Sequence, residues 1–175
     1  MTIGRTRRRA VAAAQSDNRP FARTDESDLR SDDPALPGRA RDLIRVGEIG
    51  IAGGDHAALL RFFHPDFRFH GPAGAELGRD QLLGYFAACR DAFDGFAVTR
   101  QMLLSDGGDH LAARTRFAGT FAHRFTGLGE PIEPNGRPFE YRLLNIFRYA
   151  PAGQLIEEWA QYDTRSFIDQ LRRPA

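Results

Sequence analysis

Three side chains at alternate positions near the C-terminus, Trp159, Gln161 and Asp163, have the types that carbonyl chemistry requires. The alternation of apolar and polar residues predicts a strand over 154–163, so the three share one face of it. Facing a pocket, they would supply an apolar platform, an amide for a carbonyl oxygen, and an acid or base. An aspartate in an apolar cavity has a raised pKa, closer to what proton transfer near neutral pH needs. We predict Asp163 as catalytic and Trp159 and Gln161 as substrate-binding, with capping of the following helix as the alternative role of Asp163.

Three further side chains are candidates for the same pocket. His70 ends a predicted strand just before a Gly-Pro step, where it could hydrogen-bond a substrate or relay a proton, or be a structural residue only. Asn145 lies in an apolar strand on the same parity as Tyr141, and a polar group there needs a partner. We predict Asn145 as a contact of the substrate or of Asp163, with an internal hydrogen bond as the alternative, and Tyr141 as a pocket residue.

Composition excludes several other chemistries. All 24 basic residues are arginine, so a Schiff-base lysine is impossible, and the bias towards residues with GC-rich codons suggests a bacterial genome. The net charge of +1 gives no reason to expect nucleic acid as a partner. The chain has one cysteine, no metal-ligand spacing, no phosphate-binding glycine loop and no Gly-x-Ser-x-Gly elbow. Without an apolar run long enough to span a membrane, the expected location is the cytoplasm.

The order of predicted elements is typical of an α+β fold. Helical spacing predicts helices over 40–51, near 56–63 and from 79, and a closing helix over 164–172, with a strand through 67–69. Long alternating strands are predicted over 96–105, 109–121, 138–150 and 154–163, and glycine-rich turns join the first pair and the last pair. An antiparallel sheet of this length must curl around the helices, which leaves a cone with an open mouth.

Residues 1–37 differ in composition from the rest of the chain. They are rich in Arg, Asp, Ser and Pro, with few large apolar side chains, and such a segment cannot bury enough surface to offset its ordering entropy. We therefore predict a disordered tail over 1–37 and one domain over 38–173. The cluster of arginines over 5–9 is read as part of a flexible leader, with a nucleic-acid or targeting patch as the alternative.

Residues 114–163 resemble the SnoaL-like polyketide cyclases of the nuclear transport factor 2-like superfamily. The features that carry the resemblance are Gly119-Thr120, the Phe-x-Gly step at 125–127, Pro134-x-Gly136-x-Pro138, Ile146-Phe147-Arg148-Tyr149, Gly153-x-Leu155-Ile156-Glu157-Glu158-Trp159 and Asp163. Upstream, residues 62–72 and 78–96 fall where that family has its first strand and third helix. The resemblance covers essentially all of 38–173.

The resemblance implies a curved antiparallel sheet packed on three helices, a pocket in the cone, and frequent homodimers. Polyketide and ester cyclases of this family close rings by a cofactor-free aldol condensation, which implies a lyase or isomerase type of activity on a hydrophobic, aromatic small molecule. In those cyclases the aspartate matching Asp163 is the acid–base residue, and the residue matching His70 often faces the cavity. Arg114 matches a common arginine position, where it would hold a carboxylate of the substrate or pair with an internal acid.

Two other functions remain open at this point. Epoxide or ester hydrolysis by an Asp–water pair would need a second carboxylate and an arginine inside the cavity, and Arg114 is the candidate arginine. A non-catalytic module that binds a small molecule or dimerises would keep the pocket without the chemistry.

Overall fold

A computed structural model describes residues 20–23 and 28–174 of the 175-residue chain. Its helices are α1 (Gly38–Arg45), α2 (His56–Phe62), α3 (Arg79–Ala92) and α4 (Thr164–Leu171). A π-helix, Val46–Ala52, continues directly from α1, and a single 3₁₀ turn covers Pro72–Gly74. None of the helices in the described ranges has the length and apolar character needed to cross a lipid bilayer.

The first predicted helix therefore changes its winding halfway. Within the π-helix, a Cβ atom added at Gly50 would lie 3.0 Å from the side chain of Leu59, and one at Gly47 would lie 3.4 Å from Val98. Glycine at these positions lets the segment pack closely on α2 and on the sheet. Asp55 is the N-cap of α2, and its carboxylate accepts a hydrogen bond of 2.9 Å from the backbone N–H of Ala58.

Seven strands form one curved, open sheet. They are β1 (Phe21–Arg23), β2 (Phe63–His70), β3 (Glu76–Gly78), β4 (Phe93–Ser105), β5 (His110–Phe121), β6 (Pro138–Tyr149) and β7 (Leu155–Gln161), in the order β1-β4-β5-β6-β7-β2-β3. The α+β class and the curved sheet are confirmed. The sheet is mixed rather than wholly antiparallel, because β2 pairs with β7 in a parallel orientation.

The register of β7 contains a bulge that decides which side chains face the helices. Tyr149 is opposite Leu155, but the preceding residue on β6, Arg148, is opposite Glu157, so Ile156 is an extra residue on β7. A bulge of one residue reverses the alternation of faces that follows it. Leu155 and Glu158 therefore point to the same, concave side of the sheet.

Two groups of buried side chains hold the layers together. The larger group lies between the helices and the concave face of the sheet. The smaller group, under α4, is mostly phenylalanine, and its rings lie at centroid distances of 4.5 to 5.5 Å: Phe93, Phe121, Phe125, Phe139 and Phe167. Five of the fourteen phenylalanines therefore fill this smaller core.

The predicted boundary at residue 37 falls inside packed structure. Strand β1 pairs with β4, and the backbone N–H of Leu29 donates a hydrogen bond of 2.7 Å to the carbonyl of Arg100. Leu29 and Leu36 are both buried in the main core. Sequence composition missed this because a few leucines among many polar residues are enough to anchor an irregular segment. The predictions for 1–19 and 24–27 lie outside the described residues.

Replacing Leu36 by alanine tests whether this segment belongs to the domain. Leu36 is 3% exposed, so we expect the free energy of unfolding to fall by about 2–4 kcal/mol in urea denaturation. The matched control is Leu144→Ala on the exposed face of β6, where the side chain is 57% exposed and the loss should stay under about 0.5 kcal/mol. Equal, small losses in the two variants would show that residue 36 contributes nothing to the fold.

Candidate active site

A cavity of about 240 Å³ lies between the helices and the concave face of the sheet. Its walls are mainly apolar and aromatic, with contributions from the π-helix, α3 and strands β2 and β4–β7. A dry cavity of about 150 Å³ is enough to bind benzene, so this one suits a ligand of one or two rings. Small-molecule sites typically combine such walls with a few polar groups.

Glu158 is the only carboxylate among the described residues that line this cavity. Its side chain belongs to β7 and is buried, at 8% exposure. Burial raises the pKa of Glu158 to about 7, although the nearby charge of Arg100 and a hydrogen bond from Asn145 oppose the shift. A carboxyl group with that pKa exchanges protons readily near neutral pH.

A short hydrogen-bond chain fixes the orientation of this carboxyl group. The amide nitrogen of Asn145 donates to Oε1 of Glu158 over 2.5 Å, and the hydroxyl of Thr115 donates to Oδ1 of Asn145 over 2.6 Å. All three residues are buried and line the cavity, on the neighbouring strands β5, β6 and β7. An ionised Glu158 can only accept, so the amide nitrogen of Asn145 faces Glu158 and its oxygen accepts from Thr115.

Arg100 supplies a cation to the same cavity. It lies on β4, is 4% exposed, and its guanidinium carbon is 5.8 Å from the ring centroid of Phe147. Burial lowers the pKa of Arg100 to about 10, so it remains charged at neutral pH, and the charge of Glu158 limits the decrease. Nε and Nη1 of Arg100 have no hydrogen-bond partner within the described part of the chain. A buried guanidinium with undirected N–H groups can bind an oxygen of a ligand.

Tyrosine hydroxyls give the cavity a second polar region. The hydroxyls of Tyr85 and Tyr141 lie 3.3 Å apart, and Tyr162 lines the wall near them. Burial raises the pKa of both Tyr85 and Tyr141 well above 10, so both remain neutral hydrogen-bonding groups. Cys89 is buried close to Tyr85, and burial raises the pKa of its thiol to about 12, which makes it an inert structural residue.

The structure places Asp163, Trp159 and Gln161 away from the cavity wall. Trp159 and Gln161 share a face of β7, as the alternation predicts, but the bulge at Ile156 places Glu158 and Ala160 on the concave side instead. Asp163 is exposed and is the N-cap of α4, accepting a hydrogen bond of 3.0 Å from the backbone N–H of Ser166. Its catalytic role stays a prediction, while the alternative capping role is the one its contacts display.

Removing the cap should have a modest effect on stability alone. Asp163→Ala leaves the N–H of Ser166 without its acceptor, so we expect the free energy of unfolding to fall by about 1 kcal/mol. Asparagine also caps helices well, and Asp163→Asn should therefore fall within about 0.5 kcal/mol of the wild type in the same urea titration. A loss in Asp163→Asn as large as that in Asp163→Ala would require another role for the negative charge.

His70 and Arg114 also lie outside the cavity wall. The ring of His70 stacks on Trp159 at a centroid distance of 5.4 Å, and Nε2 is 2.9 Å from Oε1 of Glu157. Arg148 binds the other oxygen of Glu157, so this cluster is satisfied internally on the convex face. Arg114 alternates with the inward-facing Thr115 on β5 and so belongs to the same convex face. Their predicted catalytic and binding roles stay predictions.

Asn145 and Tyr141 do line the cavity. Arg100 and Glu158 line it too, although the sequence did not single them out as site residues. The signal for Arg100 was present, because it shares the parity of Val98 in an otherwise apolar strand face. Glu158 could be chosen over Glu157 only from the register, since Asn145 is opposite Ala160 and the parity of Ala160 includes Glu158. The substrate-contact roles of Asn145 and Tyr141 stay predictions.

One group of metal-ligating side chains comes close together in the described ranges. Asp106, Asp109 and His110 lie on the hairpin between β4 and β5, partly or fully exposed and outside the cavity. Oδ1 of Asp106 already accepts the backbone N–H of Gly108 over 2.7 Å, an interaction typical of a tight turn. The cluster is explained by turn geometry, and an exposed acidic group of this kind is no metal centre by itself.

Comparisons with known proteins agree on one family. The family model described as SnoaL-like polyketide cyclase matches residues 44–171. Wild-type IdmH, a proposed polyketide cyclase from Streptomyces antibioticus, has 27% identity and a TM-score of 0.61, with coverage of 76% of this chain and 95% of IdmH. No curated protein matches the sequence significantly.

Two further solved structures show the fold alone, because their sequence identity is low. A proposed SnoaL-like polyketide cyclase from Jannaschia sp. CCS1 has 19% identity and a TM-score of 0.65, covering 78% of this chain and 93% of that one. AclR, a proposed hydroxylase from Streptomyces galilaeus, has 16% identity and a TM-score of 0.62, covering 76% and 80%. Similar folds therefore carry different proposed activities, and the activity has to be argued from the cavity.

Proposed function

The chain belongs to the SnoaL-like polyketide cyclase family, and we propose that it catalyses cofactor-free proton transfer next to a carbonyl group of a hydrophobic small molecule. Ring closure by an intramolecular aldol step, or isomerisation, would follow from the enolate. The observation that carries this proposal is the buried Glu158, whose pKa of about 7 suits a group that must take and return a proton.

In the proposed reaction Glu158 acts as the base and then as the acid. Its carboxylate removes a proton from the carbon next to the carbonyl, and the negative charge moves onto the carbonyl oxygen. Arg100 is positioned in the same cavity, and its Nε and Nη1, which have no partner in the described part of the chain, can donate to that oxygen as its charge develops. After the new bond forms, the protonated Glu158 returns the proton to the product oxygen or carbon.

The remaining cavity groups would orient the substrate. Asn145 holds the carboxyl group of Glu158 in one direction, which makes it a positioning residue. The hydroxyls of Tyr85 and Tyr141 can donate to a second oxygen of the substrate, and the apolar walls exclude water from the enolate. The size of the cavity favours a substrate portion of one or two rings.

Exchange of α-protons tests this chemistry without knowledge of the natural substrate. We would incubate the protein with 2-tetralone or 2-indanone in D₂O and follow loss of the α-proton signals by NMR. The expected result is exchange faster than in buffer and saturable in ketone. Ketone binding in saturation-transfer experiments with no accelerated exchange would identify a binding module instead of an enzyme.

Epoxide or ester hydrolysis is less well supported by the cavity. That mechanism requires an arginine and two carboxylates, and Arg100 and Glu158 supply one of each. Among the described residues that line the cavity, Glu158 is the only acid, so the second carboxylate is missing. Hydrolysis of styrene oxide that is abolished in Glu158→Gln would nevertheless favour the hydrolase over the proposed enolisation.

A further inference from the structure

A second concave site lies on the outer side of the helical layer. It is an open groove of about 590 Å³ formed by α1, the start of the π-helix, α2 and the hairpin between β6 and β7. Val46 and Phe62 line both this groove and the cavity, so the two spaces share a wall. Neither Glu158 nor Arg100 lines the groove, and its function is therefore separate from the proposed proton transfer.

The groove is strongly basic. Four of its twelve lining residues are arginine, more than twice the frequency of arginine in the chain, where 24 of 175 residues are of that type. Asp42 is the one acidic residue among them. A general abundance of arginine is thus not enough to explain the concentration here. Charges of one sign in a concave site raise the local concentration of ligands of opposite charge.

Three of the four arginines have guanidinium groups without a partner among the described residues. Arg39 donates to the carbonyl of Gly108 over 2.7 Å and lies 4.7 Å above the ring centroid of Tyr149. The side chains of Arg41, Arg45 and Arg61 are exposed and make no hydrogen bond or ion pair with any residue in the described ranges. They are therefore available to a ligand.

Two of these free arginines repel each other. Arg41 and Arg45 are four residues apart on α1, where like charges destabilise a helix, and Asp42, three residues before Arg45, offsets only part of this. The usual reason to have a cation in the last turn of a helix does not apply to Arg45, because the chain continues without a break into the π-helix. A bound anion between them would remove the repulsion.

Apolar and aromatic groups form the floor of the groove. Phe62 and Tyr149 meet there edge to face at a centroid distance of 6.1 Å, and Ile49 beside them is 43% exposed. The hydroxyl of Tyr149 is buried and has no hydrogen-bond partner in the described part of the chain. Burial raises the pKa of Tyr149, so this hydroxyl remains a neutral donor.

We propose that this groove binds an aromatic phosphate monoester, with the phosphate among the side chains of Arg41, Arg45 and Arg61 and the ring on Phe62. A phosphate monoester carries close to two negative charges at neutral pH and has three acceptor oxygens. It can therefore bind several guanidinium groups at once, whereas a carboxylate has one charge and two oxygens. The apolar floor adds affinity for the ring and distinguishes such a ligand from inorganic phosphate.

Calorimetric titration of the full chain with phenyl phosphate, inorganic phosphate and phenol tests the proposal. We expect saturable binding of phenyl phosphate, weaker binding of inorganic phosphate and none of phenol, with affinity that falls as salt rises. Arg41→Gln/Arg45→Gln should weaken phenyl phosphate at least about tenfold, since a hydrogen bond to a charged group has about that effect. Arg165→Gln/Arg172→Gln on and after α4 makes the same charge change away from the groove and should leave affinity unchanged.

A variant of the cavity separates the two sites. Glu158→Gln should bind phenyl phosphate as the wild type does, because Glu158 does not line the groove. Absence of saturable binding, or equal losses in the two double-arginine variants, would overturn the proposal. So would a loss confined to Glu158→Gln, which would place the ligand in the cavity.

Discussion

Glutamine in place of Glu158 should slow the exchange of the α-protons of 2-tetralone by about 10²–10⁴-fold, the usual contribution of a positioned general base. Glutamine keeps the shape of the side chain and can still receive the hydrogen bond from Asn145, so ketone binding should change little. The loss should appear in kcat rather than in KM, because only the proton transfer is impaired.

The pH profile gives an independent test of the same residue. The base must be ionised, and the pKa of Glu158 is about 7. For the wild type, the exchange rate should therefore rise with pH up to about 7 and then become constant, after subtraction of the rate in buffer. The residual rate of Glu158→Gln should lack that step.

Two neighbouring carboxylates provide matched controls for this experiment. Glu157→Gln makes the identical chemical change one residue away, on the convex face, and Asp163→Asn removes the charge at the cap of α4. Both should keep exchange within about threefold of the wild type, because neither side chain lines the cavity. If Asp163→Asn lost the activity and Glu158→Gln kept it, Asp163 would be the acid–base residue, as the family resemblance implies.

The alternation of residues along the chain was sufficient to predict the long strands of the sheet. Strands β4, β5 and β6 begin and end within three residues of the predicted limits, because each alternates over ten or more residues and is bounded by turns. The hairpin after Ser105 could be predicted as well, because Asp-Gly-Gly-Asp is typical of a tight turn. Gly107 adopts a φ of +79°, which glycine tolerates better than other residues. Fold class follows from patterns of this length.

The face of β7 could not be predicted in the same way. Its seven residues contain one bulge, and a single inserted residue exchanges the set Trp159 and Gln161 for the set Glu158 and Ala160. Neither set is apolar enough to identify the buried side, because each contains one polar and one apolar member. The outcome depends on pairing with β6, which lies outside β7 itself. The bulge in the short strand β7 thus decides which of its side chains belong to the candidate site.

The N-terminal segment shows a second limit of composition. Strand β1 pairs with β4 through backbone groups, which any sequence supplies. Leu29 and Leu36 are buried, but two leucines hardly change the mean hydropathy of 37 residues. The segment also contributes to the site, because Leu29 pairs with Arg100 through the backbone of β4. The edge of β4, the strand that carries Arg100, is therefore covered by residues that the composition predicted to be a disordered tail.

Methionine in place of Arg100 should destabilise the protein by an amount that grows as pH rises above 7. Below pH 7 the carboxyl of Glu158 is mainly protonated, so removing a buried cation that is costly to desolvate should change the free energy of unfolding by less than about 1 kcal/mol. Above pH 7 the wild-type carboxyl ionises with help from Arg100. The variant lacks that help, and its Glu158 stays protonated up to a higher pKa.

The sign follows from proton binding in the two states. Glu158 has a pKa of about 7 in the folded protein, above the ordinary value of 4.5, so the wild type loses stability from about pH 4.5 to 7 and then no further. In Arg100→Met the folded-state pKa of Glu158 is higher, so the loss continues past pH 7. Between pH 6 and pH 9 the gap between the two proteins should therefore widen in urea titrations, by about 1 kcal/mol for each unit by which the variant raises the pKa of Glu158. The whole range stays below the pKa of Arg100, which is about 10.

The double variant Arg100→Met/Glu158→Gln separates this electrostatic coupling from a packing defect. With no carboxyl group to ionise, its stability relative to Glu158→Gln should change much less between pH 6 and pH 9 than the gap between Arg100→Met and the wild type does. A gap between Arg100→Met and the wild type that is the same at pH 6 and pH 9 would show that the two side chains do not interact. Arg100 would then stabilise neither the ionised Glu158 nor, by the same field, the enolate that Glu158 is proposed to generate.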